Sequence, residues 1–399
     1  MRSGDMVPLV VYLAGVPWDG CEGTDRRLVS ALAADARVLW VDPPTSSLRR
    51  KARGGFVRQA SKLERVAHHV DRLQVAGPPL VTRPVVHSVA NALLGTRLRA
   101  AVADSGGADA VVLANPLMRF PRSVGGRRLY YVTDDWLAGA ELMGLSRQAI
   151  ERFQQANVRE ADAVAAVSPP LADRLSQAHG RAVAVLANGC TVDDRSDLAA
   201  VDLGLPAPVI GLTGQVNERL DLEILGAVAD RGLSLAVVGA RKERTREFSE
   251  AFDRLAGRSN VRWYGHQPAS SLPGFLASFD VGITPYAISA FNTASFPIKT
   301  LDYLAAGLPC VASPLPALDW LSTHLIDVAA TPQHFADLVE QAATAPADKD
   351  AVAQRIAFAR RHSWGARAAQ LLASLGVPAR PEAGPPPPFI AIYKTRGMP

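Results

Sequence analysis

The sequence predicts an α/β protein made of two doubly wound domains, each with a parallel sheet. Three observations predict it. The chain is long, short continuous apolar runs alternate with stretches of helical period, and that series restarts after a polar, proline-containing segment. At 399 residues the chain exceeds the size at which a single core usually keeps growing. Hydrophobic residues make up 48% and charged residues 20%, an ordinary globular composition that can bury sizeable cores.

In the first series, strands are expected at residues 9–14, 38–41, 73–76, 110–114, 129–133, 163–167 and 183–186. Helical stretches at 24–35, 83–104 and 147–160 lie between them. Runs that are apolar throughout, separated by helices, mean parallel strands covered on both faces. The apolar run at 7–16 has the length of a signal-peptide core. Pro17-Trp18-Asp19-Gly20 and a helical stretch follow it, which makes it a first core strand with its loop. Asn188-Gly189 closes the series, and a polar segment at 193–205 leads into Pro206 and Pro208. The second series has strands at 209–213, 233–238, 261–264, 281–284, 310–312 and 326–328.

The expected organisation is therefore an N-terminal domain over 1–190, a linker over 191–208 and a second domain over 209–348. A C-terminal helix over 349–376, able to pack back across the cleft, and a Pro-rich mobile tail over 377–399 complete it. Ligand chemistry is expected between the domains, near the carboxyl ends of the strands.

One segment carries most of the functional information: residues 296–309, FPIKTLDYLAAGLP. The strand at 281–284 runs into a loop at 285–295, and Pro297 then opens a helix that continues through Ile298, Lys299, Leu301, Leu304 and Ala305. Proline suits a first helical position, where its missing N–H would be unpaired anyway. Unpaired first-turn N–H groups and the positive dipole end make an anion site, and Lys299 adds a cation in the same turn. Asp302, one turn on, can accept from a ribose diol. The plain alternative is an amphipathic helix with Lys299 and Asp302 simply solvated.

This run resembles the donor-binding helix of GT-B retaining glycosyltransferases, particularly glycosyltransferase family 4 and its teichuronic-acid-type branch. Supporting pieces occur in the family's order: Ala161-Asp-Ala-Val-Ala-Ala-Val-Ser168, Leu186-Ala-Asn-Gly-Cys190 and Gly211-Leu-Thr-Gly-Gln-Val-Asn-Glu-Arg-Leu-Asp221. Val237-Val-Gly239, Asn260-Val-Arg-Trp-Tyr-Gly265, Leu272-Pro273 and Phe279-Asp-Val-Gly-Ile-Thr-Pro285 follow. The resemblance implies two Rossmann-like domains facing a cleft, an acceptor side in the first and a nucleotide-sugar site in the second. It implies transfer of a sugar from a nucleotide-diphosphate donor to a hydroxyl acceptor, with retention and without metal or other cofactor. Arg219 and Lys299 would stabilise the charge that develops on the departing diphosphate. In such enzymes the departing phosphate can itself take the acceptor's proton. Donor contacts would come from Gly214, Gln215, Asn217, His266, Ser295, Phe296, Pro297, Ile298 and Asp302. Two departures stand out. Where the broad family has two glutamates flanking seven residues, this chain has Ala294 and Asp302, and Gln215 stands near the family's arginine, leaving Arg219 as the nearest cation.

On the acceptor side, Asp134 and Asp135 end a strand in Tyr130-Tyr-Val-Thr-Asp-Asp-Trp136. They can hold an acceptor hydroxyl, or cap a helix. Trp18 can stack on a sugar or lipid and Asp19 can hydrogen-bond it; a packed Trp in a Pro/Gly turn is the alternative. His266 would lie near the nucleobase through backbone contacts, or be a surface-loop histidine.

Other classes are disfavoured. No GxGxxG follows a strand and no GxxxxGK[ST] occurs, against a dehydrogenase and a P-loop NTPase. Cys21, Cys190 and Cys310 are scattered and odd in number, so neither a zinc site nor a disulfide framework is expected, and the cytoplasm is the expected compartment. The histidines, including His68-His69, show no metal spacing. A net charge of +5, carried mainly by arginine, suits phosphates or acidic lipids, and no nucleic-acid-reading motif accompanies it. The basic stretch at 48–65 (Arg49, Arg50, Lys51, Arg53, Arg58, Lys62, Arg65) is a solvated loop or a peripheral membrane contact. Two other functions stay open: a nucleotide-sugar epimerase or hydrolase, and a non-catalytic sugar-nucleotide-binding protein.

Overall fold

The computed structural model of the chain describes residues 7–20, 22–46, 48–50, 56–58, 60–77, 84–192 and 199–377. Cys21 and the Pro-rich tail expected from 378 onward lie outside this set. The described residues form two compact units, one from those within 7–167, 171–187 and 364–377, the other from those within 168–170 and 188–363.

In chain order the first unit contains β1 (Leu9–Leu13), α1 (Thr24–Leu32), β2 (Arg37–Val41), β3 (Lys62–Ala67), β4 (Val70–Gln74), α2 (Pro84–Ala103) and β5 (Ala110–Leu113). It continues with β6 (Arg127–Val132), α3 (Ala140–Met143), α4 (Arg147–Glu160), β7 (Ala163–Ala166), α5 (Pro169–His179) and β8 (Ala184–Val185). Its eight-stranded sheet has the order β8-β7-β6-β5-β1-β2-β4-β3 and is parallel throughout except at the β3–β4 edge. Every residue of β1 and β5 is buried, as continuous apolar runs require of central strands.

The edge corrects the sequence reading. Residues 62–67, expected to begin inside a charged loop, form a strand antiparallel to β4, and His68-His69 make the turn with His69 at φ +56°. The strand carries no apolar run because it is charged and largely exposed, which guards an edge strand against pairing with another chain. Lys62 pairs with Glu64 and Arg65 with Asp71, so the described end of the basic stretch is already neutralised. The side chains of residues 45–59 lie outside the described set.

The second unit contains β9 (Val209–Thr213), α6 (Leu222–Asp230), β10 (Ser234–Val238), α7 (Arg246–Ala256), β11 (Val261–Trp263), α8 (Leu272–Ala277) and β12 (Val281–Thr284). Then come α9 (Ala290–Ala294), α10 (Ile298–Ala305), β13 (Cys310–Ala312), α11 (Pro316–Leu321), β14 (Asp327–Val328), α12 (Pro332–Thr344) and α13 (Lys349–Arg361). Its six-stranded parallel sheet has the order β11-β10-β9-β12-β13-β14. Strand residues Leu212, Leu235, Val237 and Ile283 share one core with Leu225, Phe252, Phe335 and Val339 from the helices.

The C-terminal helix expected as one piece is two. α13 ends at Arg361, and α14 (Trp364–Ser374) begins after a two-residue break. Neither glycine nor proline marks the break. His362 leaves helical geometry at φ −110°, ψ 26°, and its carbonyl accepts the Cys190 N–H at 3.0 Å. α14 belongs to the first unit, where it packs against α1.

Candidate functional site

In the second unit the chain moves from β9 outward through β10 and β11, then returns to the other side of β9 with β12. The topological switch point therefore lies between β9 and β12. The crevice outside the carboxyl ends of such strands is where open α/β sheets bind ligands. Most of the donor residues expected from the sequence converge on the loops at this end.

Gly214 follows β9 at φ +138°, and Gly239 follows β10 at φ +155°, backbone conformations that side chains rarely adopt. A Cβ on Gly239 would fall 1.6 Å from the Gly214 carbonyl oxygen, so glycine is required for the two loops to approach. Lys299 reaches this floor: its Cε lies 3.9 Å from where a Gly214 Cβ would be. Buried Tyr303, on the same helix, holds the end of β9. Its phenol oxygen accepts the Thr213 N–H at 2.8 Å, and its ring lies on Gly282, where a Cβ would stand 2.3 Å from Cγ.

α10 starts at Ile298 with Pro297 as its N-cap and no side chain capping it. The proline thus sits one residue earlier than expected, just ahead of the helix rather than in its first turn. Lys299 Nζ and the Asp302 carboxylate are 3.5 Å apart, and Asp302 is only 8% exposed. Ser295 and Phe296 face inward. Ser295 Oγ donates to the Phe291 carbonyl, and Phe296 packs edge-on against Trp320 with centroids 5.8 Å apart, so their side chains support the loop. Ala294, standing where the resembled family has a carboxylate, is buried, and its carbonyl accepts from Ser168 Oγ. Asn188 Nδ2 likewise donates to the Phe296 carbonyl at 3.0 Å.

Arg219 is half-buried, its guanidinium carbon 5.3 Å from the Tyr286 ring centre and 4.9 Å from that of Phe291. Its Nε donates to Asn292 Oδ1 at 2.8 Å, and Asn217 Oδ1 accepts its backbone N–H at 3.1 Å. Asn217 is buried, Gln215 exposed. His266 is exposed next to Gly265, whose carbonyl accepts the Gly239 N–H at 2.8 Å.

Three residues that sequence reasoning passed over shape this region. Tyr303 lay inside the motif but read as an apolar helix position. Asn292 gave no signal at all. Glu218 accepts from the N–H groups of Arg244 and Thr245 and from Thr245 Oγ1 at 2.7, 2.8 and 3.1 Å. Burial alone would push its carboxyl up, but these bonds outweigh it and hold the carboxyl below its usual range.

In the first unit the expected acceptor residues have structural partners. Asp135 Oδ1 accepts from Ala138 N–H at 3.1 Å, and its other oxygen pairs with Arg174 at 2.6 Å. Asp134 is half-exposed. Asp19 pairs with buried Arg72 at 2.8 Å, and Arg72 also binds Asp42, which accepts the Trp18 N–H at 2.9 Å. Trp18 packs edge-on against Trp40 and under Arg26, so this loop is built rather than loose. Among the described residues no His/Cys/Asp/Glu cluster could hold a metal ion, and no helix is long and apolar enough to cross a membrane.

The two α/β units have the GT-B fold of solved structures. Sucrose-phosphate synthase from Thermosynechococcus elongatus superposes with a TM-score of 0.68 at 16% identity, over 92% of this chain and 98% of that one. The trehalose-6-phosphate protein of E. coli bound with UDP-2-fluoro glucose gives 0.65 at 11% identity over 92% and 98%. Anabaena HepE in complex with UDP and glucose gives 0.64 at 16% over 92% and 99%. Residues 207–357, within the second unit, match the family model described as glycosyl transferases group 1. The Bacillus subtilis (strain 168) protein TuaH, whose name assigns it to teichuronic acid biosynthesis as a glycosyltransferase, is 30% identical over 101 residues. That match spans about a quarter of each chain, 25% of this one and 25% of TuaH.

Proposed function

We propose that the protein is a glycosyltransferase that moves a sugar from a nucleotide-diphosphate sugar to a hydroxyl acceptor on a glycan, glycolipid or secondary metabolite. The observation that carries this reading is the convergence of Lys299, Arg219 and the start of α10 on the crevice outside β9 and β12, in a group 1 glycosyltransferase domain. Lys299 and Arg219 take up negative charge as the sugar–phosphate bond breaks, and the first-turn N–H groups of α10 add fixed dipoles. Asp302 receives the ribose, and the backbone around His266 receives the base. On the acceptor side the role falls to Asp134, Asp135, Trp18 and Asp19, with Asp135 oriented by Arg174 and Asp19 by Arg72. The UDP complexes among the structural neighbours make UDP-sugars the first donors to try.

Retention of configuration, independence from metal and cytoplasmic action at a membrane surface belong to the same reading. The first two rest on the family resemblance. NMR of the product anomer, activity in EDTA and co-sedimentation with anionic vesicles test these three points in turn.

The central experiment incubates the protein with UDP-, GDP- and TDP-sugars and acceptors, following binding and nucleotide release. Lys299→Ala is expected to lower turnover by roughly 10²–10³-fold, the range for removing one transition-state donor, with a far smaller effect on stability. A folded Lys299→Ala protein with full activity would overturn the site assignment. Folded wild-type protein that binds no nucleotide sugar would overturn the donor class. Binding without nucleotide release across a wide acceptor panel would favour a sugar-nucleotide-binding protein instead.

A further inference from the structure

The described arginines of the second unit fall into those paired with a carboxylate and those, Arg219 and Arg262 among them, that are not. Arg231, Arg241, Arg246 and Arg258 each pair with a carboxylate. Arg219 has no ion-pair partner among the described residues. It is nonetheless held in place, and the group holding it is Asn292.

Asn292 is 1% exposed and lies on α9, where Ser289 Oγ accepts its backbone N–H at 3.2 Å. Its side chain makes three hydrogen bonds. Nδ2 donates to the carbonyls of Arg219 at 3.0 Å and Ala287 at 2.8 Å, and Oδ1 accepts from Arg219 Nε at 2.8 Å. The amide has only one sensible orientation, since two of its partners are acceptors and the third is only a donor. Asn292 thus ties the Arg219 backbone to the 285–289 loop and, through Nε, sets the rotation of the guanidinium. The rings of Tyr286 and Phe291 confine the guanidinium further. A neutral amide does this without neutralising the cation; a carboxylate at the same place would.

We propose that Asn292 is a positioning residue that holds Arg219 uncompensated for a diphosphate, so that it sets the site's preference for nucleoside diphosphates over monophosphates. This rests on the donor-binding reading above. A residue acting only in folding would change stability without changing that preference.

The test measures, by calorimetry, the affinity of one nucleoside as its diphosphate and as its monophosphate, using the UDP, GDP or TDP that the wild type binds best. Asn292→Ala and Asn292→Asp are each expected to lower the diphosphate-to-monophosphate preference by roughly tenfold to a hundredfold, the range for a displaced charge-assisted contact. Asn292→Asp should lose more, because its carboxylate competes with phosphate for the guanidinium. In an Arg219→Gln background, Asn292→Ala should lower the preference no further, since its effect passes through Arg219. An unchanged preference in the folded single variants, or an undiminished effect of Asn292→Ala in that background, would overturn the inference and leave the donor reading standing. Should the Asn292 variants not fold, Arg219→Lys decides: it keeps the charge but loses Nε, and must lose the same preference. A wild-type preference in Arg219→Lys would overturn the proposal. Folded wild type that binds no nucleotide would overturn both readings.

Discussion

Tyr303→Phe tests how the core of the second unit shapes its crevice. The phenol is fully buried, its oxygen 2.8 Å from the Thr213 backbone N–H and 3.2 Å from Thr213 Oγ1. Removing the hydroxyl leaves the ring packed on Gly282 but strips a buried N–H of its acceptor at the last residue of β9. An orphaned buried donor costs about 1–3 kcal/mol. For a unit of this size each kcal/mol shifts the melting temperature by roughly 2–4 °C, so a fall of about 2–12 °C is expected. Because Gly214 follows immediately, nucleoside diphosphate affinity should weaken as well. Calorimetric melting with and without nucleotide measures both. Unchanged stability would refute the idea that the phenol carries this N–H; a large loss of stability with undiminished affinity would separate the core from the crevice.

Two glycines should behave oppositely. Gly239→Ala must push apart the loops after β9 and β10 and should cost about 2 kcal/mol or more, with loss of donor binding. Gly226→Ala, inside α6 with nothing within 4 Å of the new Cβ, should stabilise by about 0.5–1 kcal/mol; denaturant melts distinguish them. In the first unit, burial pushes the Asp25 carboxyl up to about 6, against hydrogen bonds from Gly15 N–H and Tyr12 Oη that pull it down. Between the unfolded value near 4 and about pH 6, the unfolded chain ionises while the fold keeps the proton, so stability falls as pH rises through this window. Relative to Asp25→Asn, the wild type should lose on the order of 2–3 kcal/mol from pH 4 to pH 7. Equal pH profiles would show that Asp25 ionises as freely in the fold as in the unfolded chain.

What could be read from the residues follows the hydrophobic pattern closely. Strands buried on both faces, such as β1, β9 and β12, leave unbroken apolar runs, and these are legible because burial, not pairing, dictates them. β3 is the counterexample: an exposed edge strand is shaped by its one neighbour and by solvent, so its charges look like a loop. The break between α13 and α14 was hidden for a related reason. A contact from Cys190, far away in the chain, takes the His362 carbonyl, and no local residue announces it.

The candidate site divides in the same way. Two parallel-sheet units and the segment at 296–309 with Lys299 and Asp302 are legible in the residues alone, because helix starts and apolar periods are local properties of neighbouring residues. Long-range packing sets which way those side chains serve. It turned Ser295 and Phe296 inward, tied Asp135 to Arg174 and Asp19 to Arg72, and brought Asn292 against Arg219 across 73 residues of chain. Hydrogen bonds between residues so far apart depend on how strands and loops are stacked, which no local pattern encodes.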